Sequence, residues 1–95
     1  MMHPNKIHAV LRKARIPREN WRKGYYYGYE IKHWFDRNIH HFCIRFRMPT
    51  EERVIELRDK VMQVLRDAGV MPDDHSLFAD KYGVHHIIFS LPSKE

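Results

Sequence analysis

The sequence predicts a two-layer α+β sandwich, with two helices on one face of a three- or four-stranded antiparallel or mixed sheet. Three observations support this. Apolar residues recur at helical spacing in two separate segments, one near the start and one behind Pro49. Within residues 39–48, Phe42, Ile44, Phe46 and Met48 alternate with His41, Cys43, Arg45 and Arg47, as in a half-buried strand. And 95 residues with a 43% hydrophobic share are enough for one core and too few for two domains. The expected order is α-β-β-α-β or α-β-β-α-β-β.

The first helix is expected over Lys6–Ile16, where Ile7, Val10, Leu11 and Ala14 fall on one face. Asn5 is its expected N-cap, and Pro17 ends it by pushing Ile16 out of helical geometry. The other face is basic, with Lys6, Arg12, Lys13 and Arg15, and Arg18, Arg22 and Lys23 carry that charge through a loop holding Trp21. Tyr25–Trp34 is rich in aromatic and β-branched residues and predicts a strand, with Tyr25, Tyr27, Tyr29 and Ile31 on one face. Gly28 within it suggests a bulge or a close backbone approach.

Asp36-Arg37-Asn38 supplies turn chemistry, and a second strand follows over Ile39–Met48. Phe42, Ile44, Phe46 and Met48 alternate there with His41, Cys43, Arg45 and Arg47, so the two strands predict an antiparallel hairpin. Thr50 is placed to cap the second helix, with Glu51 and Glu52 at its positive end. Its buried stripe is Val54, Leu57, Val61, Leu65 and Ala68, closed by Gly69 in a left-handed cap with Val70 packing back. His75–Ala79 and Tyr82–Leu91 then read as two strands around Asp80-Lys81, or as an irregular segment and one strand. The second has apolar residues on both faces and predicts a central position. Pro92–Glu95 is expected to fray.

Charge is divided unevenly along the chain. Residues 1–50 hold eleven Lys/Arg and three acids, whereas residues 51–95 hold six and nine. The exposed side of the sheet is expected to show Lys32, His41, Arg45, Arg47 and His86. A basic front half steers toward a phosphate backbone or an acidic protein surface. The expected contact set is Arg12, Lys13, Arg15, Arg18, Trp21, Arg22, Lys23, Arg45 and Arg47, where cations meet phosphates and rings stack on bases. The surplus of Tyr, Trp and Met beyond what two short helices can cover predicts self-association, first of all as a homodimer.

Other chemistries are weakly served. The lone Cys43 cannot form an intrachain disulfide and lies in no metal-binding spacing. The start, Met1–Lys6, has no long apolar run of the kind a secretory leader requires, so a cytoplasmic location without membrane contact is expected. Adjacent histidines in a strand point to opposite faces, so neither His40-His41 nor His85-His86 chelates as a unit. No metal or cofactor is expected. If their strands are neighbours, His41 and His86 could face one another beside Arg45 and Arg47, which would supply the parts of acid–base phosphodiester chemistry. Tyr82-Gly83-Val84-His85-His86-Ile87 resembles the Gly-Ser-His-His stretch of the HicA family of messenger-RNA-cutting toxins. That resemblance implies a histidine-dependent RNase-like toxin or nuclease with His85 as its functional residue. Val84 departs from the small hydroxyl residue of the pattern, the stretch follows the second helix rather than preceding it, and the alternation aims His85 at the core. In overall layout the chain resembles small proteins of bacteriophages and mobile elements. The reading that best unites these features is a small non-catalytic binding module for an anionic partner.

Overall fold

A computed structural model of the chain describes residues 4–92. Its elements are α1 (Pro4–Lys13), β1 (Gly28–Asp36), β2 (Ile39–Arg47), α2 (Glu51–Asp67), β3 (His75–Ala79) and β4 (His85–Pro92). This is the longer of the two expected orders. The four strands form one sheet in the order β1-β2-β4-β3, antiparallel at every pairing. β2 and β3 therefore run parallel to one another with β4 inserted between them, and α2 is the crossover. The residues read as a frayed tail beyond Pro92, and the first three read for a leader, lie outside the described residues.

Alternation decides which side of the sheet is covered. Phe42, Ile44 and Phe46 of β2 and Ile87 and Phe89 of β4 face the helices. They meet Ile7 and Leu11 of α1 and Val54, Leu57, Val61 and Leu65 of α2. Burying each such side chain contributes about 1.5–3 kcal/mol, so the two central strands supply much of the stabilising area. Among the described residues neither α-helix covers the opposite face of the sheet.

The second helix follows its local signals. The Thr50 hydroxyl accepts from the Arg53 amide at 3.3 Å. At the far end Gly69 (φ +69°) and Val70 return hydrogen bonds to Arg66 and Leu65. Ala68, expected in the buried stripe, is exposed because the chain is already turning away there. The first helix departs further from expectation. It starts at Pro4, which needs no amide partner at the first helical position, so Asn5 lies inside the first turn rather than capping it. It closes with the same double return bond as α2, from Arg15 to Arg12 and from Ile16 to Leu11. Here a non-glycine residue, Arg15 (φ +60°), takes the left-handed position.

The largest correction concerns the tyrosine run. Tyr25–Tyr27 precede β1, which begins only at Gly28. The reason is a non-local pairing. The chain after α1 lies along the start of β1, where the Tyr29 amide donates to Pro17 and the Glu19 amide to Tyr29. Gly28 permits this approach, since a Cβ there would sit 2.5 Å from the Pro17 carbonyl oxygen at φ +129°. The β1–β2 connection is a two-residue turn, Arg37 and Asn38, both at positive φ, as a type I′ hairpin requires.

Candidate functional site

The most distinctive surface is built by the segment between α1 and β1. Asn20 and Tyr25 exchange two backbone hydrogen bonds, closing a tight loop around a single 3-10 turn, Trp21–Lys23. Gly24 (φ +79°) ends that turn. A loop closed in this way holds its side chains outward, and Trp21, Tyr25 and Tyr26 are each more than half exposed. Trp21 packs edge-on against Tyr26 at 5.3 Å between ring centroids, and the Arg47 guanidinium lies over the Trp21 ring at 5.3 Å. Cations and open rings thus share one corner of the molecule.

The sequence-derived contact residues separate into three groups. Arg18, Trp21, Arg22 and Arg45 line an open cleft of about 410 Å³, together with Glu19, Asn20 and Glu30. Arg47 and Lys23 adjoin it, the first over Trp21 and the second on the same turn as Arg22. Arg12, Lys13 and Arg15 stand at the carboxyl end of α1 and do not line the cleft. Arg12 and Arg18 both act on His8, whose pKa is pushed below its ordinary value first by burial and then by these charges. Arg12 and Arg18 therefore both lie near His8, where Glu30 opposes them.

Two of these cations are not free. Arg45 donates to Glu19 at 2.6 Å, and Glu19 is buried. Arg18 lies 3.8 Å from Glu30. Among the described residues no carboxylate stands within ion-pairing distance of Arg12, Lys13, Arg15, Arg22, Lys23, Lys32 or Arg47. Nothing local in the sequence marks Glu19 as the partner of Arg45, since the pairing depends on the strap along β1.

The histidines are arranged differently from expectation. β2 and β4 are neighbours, but the register sets His41 opposite Ser90 and His86 opposite Arg45. The two imidazoles are therefore four residues apart along the strands, roughly 13 Å, and cannot act on one phosphate. His85 faces α2, buried, where its Nδ1 accepts from Arg58 at 3.4 Å. His86 lies on the open face and donates from Nε2 to Asp80 at 3.1 Å, and the Cys43 thiol stands 3.7 Å from its Nδ1. Asp80 is in turn fixed by the amides of Tyr82 and Val84, and the hydrogen bond from His86, with these amide bonds after it, holds its carboxyl below the usual range. This Cys–His–Asp chain was not read from the sequence, because it needs the β3–β4 turn to fold Asp80 back. Burial pushes the Cys43 thiol up, so it rests protonated. His33 and His40 share one hydrogen bond at 2.9 Å on the covered side. Among the described residues no group of three or more His, Cys, Asp or Glu is placed to hold a metal ion.

No described helix is long and apolar enough to cross a membrane. Comparison with protein-family models, with curated proteins and with solved structures found no match to this chain.

Proposed function

We propose that the chain is a small non-catalytic binding module that docks an anionic partner, a nucleic acid or an acidic protein surface, on its basic N-terminal half. One observation carries this reading. The closed loop at residues 20–25 presents Trp21, Arg22 and Lys23 to solvent, with Arg47 over the Trp21 ring and no described carboxylate pairing any of the cations Arg22, Lys23 and Arg47. Holding charge and ring in one ordered turn lowers the entropic cost of contact. The same exposed aromatics support self-association, which would cover them with a second copy. The histidine-nuclease alternative gains less, because His85 is buried under α2 and His86 is distant from His41.

Binding to heparin, a generic polyanion, tests the proposal. Affinity should fall steeply with salt, since each neutralised charge releases a counterion. Replacing Arg22, Lys23 and Arg47 together by Ala should weaken binding and flatten that dependence. No binding at low salt removes the proposal.

A further inference from the structure

Resting on the reading of the basic corner as an anion-docking site, we propose that the ligand is a single-stranded nucleic acid whose unpaired bases stack on the open face of the sheet. The face is organised in rows by the strand register. One row is Trp34, His41 and Ser90, the next is Lys32, Cys43, Ile88 and Ser76, and the third is Glu30, Arg45, His86 and Phe78. Two of these rows end in an aromatic ring at a sheet edge. Trp34 and Phe78 are 48% and 47% exposed, and each is backed by an imidazole on one side. The Trp34 and His41 rings are stacked at 5.3 Å and 20°, those of Phe78 and His86 at 4.4 Å and 8°.

The backing histidines are themselves held, His41 to Ser90 at 2.8 Å and His86 to Asp80 at 3.1 Å. Each ring is therefore fixed in orientation with one face left to solvent. A stacked planar ligand would lose little additional side-chain entropy on binding there. Lys32 occupies the row between them, exposed and unpaired by any described carboxylate, and Trp21 with Arg47 adds a third ring with its cation at the adjoining corner.

This arrangement discriminates among anionic partners. A duplex keeps its bases stacked on one another and offers phosphates alone, which need only cations. An acidic protein likewise offers carboxylates. Only a single strand offers both a charged backbone and free π-faces, and base–aromatic stacking is tolerant of sequence. The two ring stations lie on β1 and β3, three strand spacings (about 14 Å) across the sheet and four residues (about 13 Å) along it, so about 19 Å apart. A short stretch of extended strand would bridge them diagonally across Cys43 and Ile88, with Lys32 beside its Trp34 end.

The two indoles make the inference directly testable in the full-length chain. Trp21→Phe leaves Trp34 as the only tryptophan, so its emission reports on the open face alone. Titration with a single-stranded oligonucleotide should quench it, and the strand should bind at least tenfold more tightly than a duplex of equal length. Trp34→Ala and Phe78→Ala should each weaken the single strand by roughly tenfold while leaving heparin affinity unchanged. Equal affinity for strand, duplex and heparin with an unmoved Trp34 signal overturns the inference and leaves the docking reading standing. Absence of binding to any polyanion at low salt overturns both. A Trp34 signal that changes with protein concentration alone, with a doubled mass in light scattering, assigns the rings to a second copy and also overturns it.

Discussion

Removing the Arg45 side chain should unfold the molecule more readily than it weakens docking. The Glu19 side chain is 2% exposed, and among the described residues its ion-pair partner is Arg45 at 2.6 Å. Arg45→Met leaves a carboxylate desolvated and unpaired, a change that costs about 3–5 kcal/mol when both partners are buried. Arg45 itself is 30% exposed, so water can reach part of the site. The expected loss is therefore at the lower end, ~3 kcal/mol. Against a total stability of ~5–15 kcal/mol this is a large fraction. With a urea slope of about 1–2 kcal/mol per molar, the unfolding midpoint should drop by roughly 2 M. Replacing both partners, Glu19→Leu with Arg45→Met, removes the orphaned charge and should recover most of the loss, since apolar substitutes for a buried pair are close to neutral. Urea unfolding of the two variants and the parent checks this. Should Arg45→Met lie within about 0.5 kcal/mol of the parent, roughly a factor of two in the folding equilibrium, or the double variant be no better than the single, the pair is not coupled. Arg45 would then belong with the free cations.

Three further outcomes follow from backbone geometry and burial. Gly28→Ala brings a Cβ to 2.5 Å from the Pro17 carbonyl at φ +129°, so it should cost ~3 kcal/mol and detach the strap; faster hydrogen exchange at the Tyr29 amide would report the detachment. Arg15→Gly relieves a left-handed residue at φ +60° and should raise the thermal midpoint by several degrees, about 1 kcal/mol. Burial holds the His8 pKa below 6.5 in the folded state, so the unfolded chain takes up its proton first as pH falls. Stability should be insensitive to His8 well above pH 6.5 and decline as pH drops below it toward the folded value. Melting curves at pH 7.5 and 5.5 (about one unit either side of a free histidine) should show a smaller acid loss in His8→Gln than in the parent.

What could be read directly from the chain was whatever depends on neighbours in sequence. Thr50, the Val54–Leu65 stripe and Gly69 delimit α2 without reference to any other element. The alternation through Phe42, Ile44 and Phe46 likewise gives β2 its buried face. The misread segments are those whose partners lie elsewhere. Tyr25–Tyr27 carry every mark of a strand, yet the edge they would have extended is held by Pro17–Glu19 against Tyr29. His41 and His86 occupy neighbouring strands, as the facing arrangement required, but the Ile44–Ile87 register separates them. The contact set was legible as a list of cations. The distinction between free and paired ones was not, because it rests on Glu19 reaching across β1.

That distinction changes how the surface would capture a partner. Long-range attraction depends on the net charge, +5 for the whole chain, and is indifferent to whether Arg45 is internally paired. Contact energy depends instead on groups that need not break an existing bond to bind, namely Arg22, Lys23, Arg47 and Lys32 with the rings beside them. The cleft residues Arg45 and Arg18 already hold carboxylates, so an incoming phosphate must compete with Glu19 and Glu30 there. The buried Glu19–Arg45 pair therefore acts less as a docking group than as the anchor of the strap that presents the loop. On the proposed docking reading, steering and retention would fall to different residues: the field of the basic half would bring an anion in, and the rings with their unpaired cations would decide how long it stays.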